Sequence, residues 1–202
     1  MHEINFTPFP FLTTERLALR QLKLEDDNEI FLIRSHKSVN KYLDRPIAKT
    51  IDDARQFIDK INVSILKNEL IYWAIAFKDQ PNLIGTICLW NISDKGTRAE
   101  IGFELLPEFQ GKGIMQEILP IIINYGFEMM GLNFIDGEVD PKNMRSIKLM
   151  EKNGFKFSKK LESTKIYSLQ DNSTAKQQNG LIKYPRKNSN LFHKSLLDCT
   201  KQ

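Results

Sequence analysis

Apolar and polar residues alternate through TERLALRQLKL at 14–24, with Leu17 and Leu19 on one face and Arg16, Ala18 and Arg20 on the other, which predicts a first strand. The acidic cluster Glu25, Asp26 and Asp27 then precedes Ile30, Phe31 and Ile33. That order predicts a helix start, because carboxylates favour the free N–H groups of a first turn. Thr50 with Asp53 three residues on has the form of a capping box, and Ala54, Phe57, Ile58, Ile61 and Ile65 follow at helical spacing, so a second helix is predicted there. The pattern then changes to β-rich runs. Runs at 71–77, 83–92 and 98–106, separated by turns at 79–82 and 93–96, predict an antiparallel meander. A glycine-rich loop leads into a helix over about 113–130, a strand at 134–139 and a helix over about 143–153, with Gly154 as the residue that ends it. Two weaker strands follow at 155–160 and 165–169, and no internal repeat is present. From residue 171 onward Gln, Asn, Ser and Lys dominate, which predicts a flexible tail.

This pattern describes an α+β protein with one domain over 1–170 and a basic polar tail over 171–202. Composition adds only exclusions: 41% hydrophobic and 27% charged residues suffice for a soluble core and exclude collagen-like or disulfide-stapled classes. The longest aliphatic stretch, at 118–123, is interrupted by Pro120 and is far short of the roughly 20 residues that cross a bilayer. The first residues lack the basic and apolar segments of a secretory signal, so the cytoplasm is the expected location. The formal charge of +4 belongs to the tail, where six Lys/Arg face two Asp/Glu; the body is neutral and shows no footprint for a nucleic acid. Cys88 and Cys199 with three scattered histidines match no structural metal spacing, and Cys88, inside LIGTICLW, reads as a core residue.

Candidate chemistry concentrates in RAEIGFELLPEFQGKGIMQEIL, where a strand gives way to Gln110-Gly111-Lys112-Gly113-Ile114-Met115 and then a helix. Two glycines let a backbone approach a ligand closely, and the free N–H groups of a helix start favour phosphate oxygens. The loop is no Walker loop, since no Gly-Lys-Ser/Thr follows a four-residue spacer, and Gln116 stands where a dinucleotide fingerprint needs glycine.

The order of strand, Gln-Gly-Lys-Gly loop, helix, strand, Asp140-Pro141-x-Asn143-x-x-Ser146 and Glu151-Lys-Asn-Gly154-Phe155 resembles the GCN5-related N-acetyltransferase (GNAT) family over about 12–170. TERLALR, AEIGFEL, QGKG-x-M-x-E and DPKNMRSIKLMEKNGF resemble its ribosomal-protein N-terminal acetyltransferase branch. The resemblance implies the acyl-CoA N-acyltransferase fold: a mixed, mainly antiparallel central sheet, flanked by helices, whose middle strands 98–106 and 134–139 splay apart. It implies acetyl-CoA as acetyl donor and no metal, with the pyrophosphate on Gln110, Gly111, Lys112, Gly113, Ile114 and Met115. It further implies pantetheine contacts from the backbone of Phe103, Glu104 and Leu105, and cofactor contacts from Asn143 and, one turn on, Ser146. Met115 departs from the small residue of the family pattern, and Met150 stands where many relatives carry a tyrosine that protonates the leaving thiolate. Asn143 is equally suited to cap its helix. The implied partners are acetyl-CoA and an amine acceptor, with a homodimer left open and neither nucleic acid nor membrane expected.

Direct transfer needs a neutral amine and a route for its proton. An α-amine, with a reference pKa of about 7.7 to 8.0 against about 10.4 for lysine, asks least of a base. Glu100, Gly102 and Glu104 share one strand face beside the loop, so Glu100 is the first candidate base and Glu104 the second; Ser146 is a further candidate for a catalytic contact. Asp136 and Glu138 on the adjoining strand also qualify. A small-molecule amine as acceptor, and a non-catalytic acyl-CoA-binding module, are the alternatives. The acceptor pocket is expected from residues 25–66.

Overall fold

A computed structural model describes residues 4–171. The residues of the expected tail beyond Asp171 lie outside the described part. The first strand is shorter than its alternation suggests: β1 (Leu12–Thr13) turns back on β2 (Leu17–Arg20), after which the chain leaves the sheet. A 3₁₀ turn at Leu24–Asp26 opens α1 (Asp27–Ser35), followed by a one-turn α2 (Lys37–Asn40) and the long α3 (Ile51–Leu66). The capping box at α3 forms as expected, with Thr50 Oγ1 accepting from Asp53 N–H and the Asp53 carboxylate accepting from Thr50 N–H. The acidic cluster does mark the helix start, Asp26 accepting from the Lys23 N–H at 2.8 Å, and it has a further role. Arg20 grips Asp26 with both terminal nitrogens at 2.7 and 2.6 Å, and Arg55 of α3 bonds Asp27 at 2.8 Å. These carboxylates therefore bind α1 to the sheet and to α3, beyond any interaction with the helix dipole.

The meander is β3 (Ile71–Phe77), β4 (Gln80–Trp90) and β5 (Arg98–Leu105). The turn expected at 79–82 contracts to Lys78 and Asp79, because Phe77 already pairs with Gln80, and a bulge near Ala76 accommodates Pro81 inside the strand. After the loop, α4 (Ile114–Asn124) runs past Pro120, which faces solvent, and widens into a π-turn at Tyr125–Met129. β6 (Phe134–Val139), α5 (Met144–Lys152), β7 (Lys156–Lys160) and β8 (Lys165–Gln170) complete the chain, and Gly154 takes the left-handed conformation (φ 87°) that closes α5. The eight strands form one sheet in the order β1-β2-β3-β4-β5-β6-β8-β7, in which only β5 and β6 are parallel. Sequential reading alone would not place β8 between β6 and β7.

One sheet face, from Trp73, Ile75, Ile87, Leu89, Ala99, Ile101 and Ile135, packs beneath α4 and α5. Trp73 is sealed between Phe9 and Tyr125, and its Nε1–H donates to the Pro10 carbonyl at 2.8 Å. Glycine is required where α4 meets the sheet: a Cβ on Gly126 would come within 2.9 Å of Ile135. The opposite face carries Tyr72, Thr86, Cys88, Glu100 and Glu104, and α1 and α3 lie over part of it, Phe57 of α3 meeting Tyr72 edge to face. No described helix is long and apolar enough to cross a membrane.

α4 is also tied to the opposite edge of the molecule. Glu117, one turn into α4, accepts from the Thr14 hydroxyl, from Arg16 N–H at 3.2 Å and from Arg16 Nε at 2.8 Å. Burial pushes the Glu117 carboxyl up, but the hydrogen bonds from Thr14 and Arg16 together outweigh it, and the net shift is downward. A lowered folded-state pKa gives stability that is fully present above the unfolded value of about 4.3 and is lost as pH falls through the folded value. Glu117→Gln should cost about 1 kcal/mol at neutral pH, the modest figure reflecting the half-exposed Arg16. Thermal melts of the two proteins should differ by roughly 3 °C at pH 7 and converge below about pH 4; a gap that persists in acid would remove the charge from this account.

Candidate active site

β5 and β6 pair over only three positions, Arg98↔Phe134, Ala99↔Ile135 and Glu100↔Asp136. Beyond Glu100 they part, although β5 stays bonded to β4 through Leu105 and β6 to β8 through Val139. The Leu106 N–H donates to the Ile84 carbonyl, so by alternation even-numbered β5 residues turn their backbone groups to β4 and odd-numbered ones to the opening. Phe103 thus presents its N–H and C=O, and Leu105 its N–H, to the gap, the Leu105 carbonyl being taken by the Gln110 side chain. The backbone of Glu104 belongs to the ladder with Thr86, and its side chain alone is free to reach the site.

The loop closes one end of this gap. Gly111 (φ 76°) and Gly113 (φ 77°) are both left-handed, and a Cβ on either would meet nothing within 4 Å. Glycine there serves the backbone conformation and leaves the space above the loop open. The first helical bond of α4 runs from Glu117 N–H to the Gly113 carbonyl, which leaves the N–H groups of Ile114, Met115 and Gln116 ahead of it. The side chains of Ile114 and Met115 are buried in the core. Met115 therefore does not fill the cradle, and its departure from the family pattern is absorbed by packing. Gln110 ties the loop together, donating from Nε2 to the Leu105 carbonyl at 3.1 Å and accepting from Arg145 of α5 at 3.4 Å. The Lys112 ammonium lies 5.5 Å from the Phe109 ring centre. These open, donor-rich surfaces fit a pyrophosphate at the loop and an extended amide chain in the gap.

Asn143 does cap α5, its Oδ1 accepting from Ser146 N–H at 3.2 Å, while its amide nitrogen has no partner among the described residues. The two roles are compatible. Ser146 is half-buried on the first turn of α5. Met150, where a tyrosine acid would stand, is buried beneath β6: a Cβ on Gly137 would lie 2.4 Å from its sulfur. That position here is part of the core.

The carboxylates separate by their partners. Glu104 is nearly enclosed, with a bidentate Arg45 at 2.6 and 3.3 Å and the Thr86 hydroxyl at 3.4 Å, while Tyr72 donates to Thr86 at 2.9 Å. Burial first, then the Glu104 charge, holds the Tyr72 phenol well above its ordinary pKa, so it remains a donor. Asp136 is held by Arg98 at 2.5 Å and Ser168 at 2.6 Å, and Glu138 accepts from Thr164 at 2.5 Å. Among the described residues Glu100 has only the amide of Asn91, at 2.6 Å. Burial pushes its carboxyl up, the Asn91 bond opposes this, and the charges of Glu138 and Asp136 add to it, for a net rise. Arg45, Tyr72 and Thr86 escaped the sequence reading, for they occupy a loop and two strands whose neighbours are set only by the sheet register.

The match to a family model of the acetyltransferase (GNAT) domain spans residues 16–156. The uncharacterized N-acetyltransferase YoaA of Bacillus subtilis is 35% identical over 73% of this chain and 83% of its own length, and the uncharacterized N-acetyltransferase p20 of Bacillus licheniformis is 36% identical over 71% and 81%. Among solved structures, a GNAT-family acetyltransferase from Bacillus anthracis superposes with a TM-score of 0.70, 23% identity and coverage of 80% of this chain and 98% of the other. The chain belongs to the GNAT family, and its fold is the acyl-CoA N-acyltransferase fold. It is an acetyl-CoA-dependent N-acetyltransferase.

Cys88 stands on the same face as Glu104, with Gly102 opposite it. Burial, then the nearby Glu104 charge, pushes its thiol up to about 12 against a weaker opposing bond from the Gly102 backbone. A thiol in that state is a poor nucleophile. In a Cys199→Ser background, iodoacetamide at pH 8 should label Cys88 at least about a hundredfold more slowly in the folded protein than in urea. Equal rates would place Cys88 among the reactive groups.

Proposed function

We propose that this enzyme transfers the acetyl group to a primary α-amine such as a protein N-terminus, with Glu100 as the base that receives the amine's proton directly or through one water. The observation that supports this reading is the position of Glu100 at the vertex where β5 and β6 part, with no cation or hydroxyl bound to it among the described residues. Glu104, whose oxygens already accept from Arg45 and Thr86, acts instead as an anchor for the acceptor side. A raised carboxyl is a better proton acceptor than an ordinary one, and an α-amine of pKa about 7.7 to 8.0 needs only modest help. Two more distant relatives are named for different acceptors: the Escherichia coli enzyme for the alanine of ribosomal protein uS5 (24% identity) and the Vibrio cholerae enzyme for spermidine (26%). The α-amine is favoured here because, with a reference pKa of about 7.7 to 8.0 against about 10.4 for an alkyl amine, it asks far less of a single carboxylate base than a polyamine does.

Acetyl-CoA, when bound, supplies the activated thioester. Around it, the loop 110–113 and the first N–H groups of α4 hold the pyrophosphate, the open edges of Phe103 and Leu105 bond the pantetheine amides, and the spare amide nitrogen of Asn143, with Ser146 beside it, completes the contact from α5. An open-edge N–H of β5 also polarises the thioester carbonyl as charge develops on its oxygen. The amine forms the new C–N bond, its proton passes to Glu100, and the thiolate leaves with its electron pair. No tyrosine stands at 150, so water protonates that thiolate; a thiol of pKa about 8.5 leaves without a dedicated acid.

Calorimetry with CoA tests the loop: Gly113→Val, which places a branched side chain in the open space, should weaken binding at least tenfold, about 1.4 kcal/mol. Unchanged affinity in a folded variant would move the pyrophosphate elsewhere. For the base, Glu100→Gln should lower kcat at least tenfold while CoA affinity stays near wild type. The wild-type pH profile should rise as pH increases through the elevated Glu100 pKa, since the carboxylate is the active form, and the variant should lack that limb. Steady-state kinetics with N-terminal peptides and with spermidine checks both acceptor and base; wild-type turnover in the variant, or preference for the polyamine, would overturn the assignment.

A further inference from the structure

On the acceptor side, α1, the segment 46–49 and α3 enclose a cleft of about 350 Å³, lined by Arg34, Pro46, Ile47, Ala48, Lys49, Asp53 and Gln56. The volume is at the small end of the range for ligand pockets and suits a small polar group with a few carbons. Its floor is held in place by the Ala48 N–H, which donates to the Arg34 carbonyl at 3.2 Å.

Arg34 is the unusual member. Its guanidinium carbon sits over the Phe57 ring, 3.9 Å from the centroid, and the side chain has no carboxylate or carbonyl partner among the described residues. Among the described residues no side-chain nitrogen is both sealed from solvent and unpartnered, so the unpartnered donors of Arg34 are reached by solvent, and Arg34 is one of the residues lining the cleft. Every other arginine drawn toward this part of the structure is paired: Arg20 with Asp26, Arg45 with Glu104 and Arg55 with Asp27. The sole carboxylate lining the cleft, Asp53, is already turned to the N–H groups of Lys49 and Thr50 at 2.7 and 3.0 Å. Lys49 adds a second positive charge at the rim. Burial first, then repulsion from Arg45, disfavours the charge on Arg34, while Glu104 favours it. A planar guanidinium, pinned on an aromatic ring and lacking a protein anion, matches a carboxylate or phosphate in geometry as well as charge.

The cleft also connects to the chemistry. Arg45 bonds Glu104 through its terminal nitrogens and Asn40 through Nε at 2.8 Å, and the next residue, Pro46, already lines the cleft. Resting on the acceptor-side reading above, we propose that this cleft binds an oxyanion carried by the acceptor, a carboxylate or phosphate group, through Arg34 with Lys49 at the rim. The preferred acceptor is then an amine with an anionic group a few bonds away, such as an N-terminal peptide with an early acidic side chain or a small amino acid.

The test uses paired acceptors with and without that charge, peptides with Asp or Glu at the second and third positions against Asn and Gln twins and free amino acids against their amides, with kcat/KM expressed per neutral amine because the α-carboxylate also raises the amine pKa. Wild type should show kcat/KM at least tenfold higher for the anionic member, and Arg34→Met, which keeps the packing on Phe57, should cut that ratio at least tenfold with CoA affinity unchanged. The arm that shows the preference, peptide or amino acid, identifies the source of the oxyanion. Equal rates on charged and neutral twins would overturn the inference and leave the acetyltransferase reading intact, as would a preference that survives in Arg34→Met. If no member of the panel is acetylated, calorimetry with inorganic phosphate and succinate, at saturating CoA so that the loop is filled, decides. Saturable binding that Arg34→Met abolishes supports the cleft, and absence of binding, or binding indifferent to Arg34, refutes it.

Discussion

The structure depends on one interrupted ladder. β5 and β6 share three pairs and then diverge, although each remains fully bonded on its other edge, β5 to β4 and β6 to β8. Backbone N–H and C=O groups left open inside a fold must find partners in water or in a ligand. A strand edge able to pair with an extended amide chain is therefore built into the sheet beside the loop that opens α4. The packing that keeps the strands apart is specific: Met150 against Gly137 under β6, and the Gln110 side chain spanning from Leu105 to Arg145.

That opening divides the molecule chemically. Loop 110–113, Asn143 and Ser146 belong to the α4 and α5 side, where N–H donors and helix starts suit phosphate and amide oxygens. Tyr72, Thr86, Glu100 and Glu104 belong to the other face, which α1 and α3 partly cover. On that face the two carboxylates of one strand have different environments. Glu104 is locked by a bidentate arginine and a hydroxyl chain, and Glu100, with one amide partner and two acidic neighbours, is pushed toward the protonated form. Environment rather than residue type separates an anchoring carboxylate from a proton acceptor.

The helices of the acceptor side are held by arginine and carboxylate pairs that span elements. Arg20 to Asp26, Arg55 to Asp27 and Arg45 to Glu104 fasten α1, α3 and the loop before Pro46 to each other and to the sheet. Against this pattern of matched charges, Arg34 stands out as a cation lining a cleft with only an aromatic ring beneath it.

Much was legible in the sequence because it is local. The Thr50 and Asp53 box, the β-rich runs of β3 to β5 between short turns, the paired glycines of the loop and Gly154 each follow from a few neighbouring residues, and the order of these segments with the Gln110 to Met115 loop carried the family resemblance. Strand parity also placed Glu100 and Glu104 on one face. What parity could not decide is what that face meets. Arg45 reaches Glu104 across 59 residues, Asp136 takes Arg98 from 38 residues away, and β8 inserts between β6 and β7. Such partners are selected by the register of the sheet and the docking of helices, which no local pattern encodes. The sequence by itself therefore determined most of the elements, the glycine loop at 110–113 and the family; the tertiary structure decided which carboxylate is paired with an arginine, which is left with one amide partner, and that Arg34 lines a cleft. The physical reason is that a charge acquires its role from the groups packed around it.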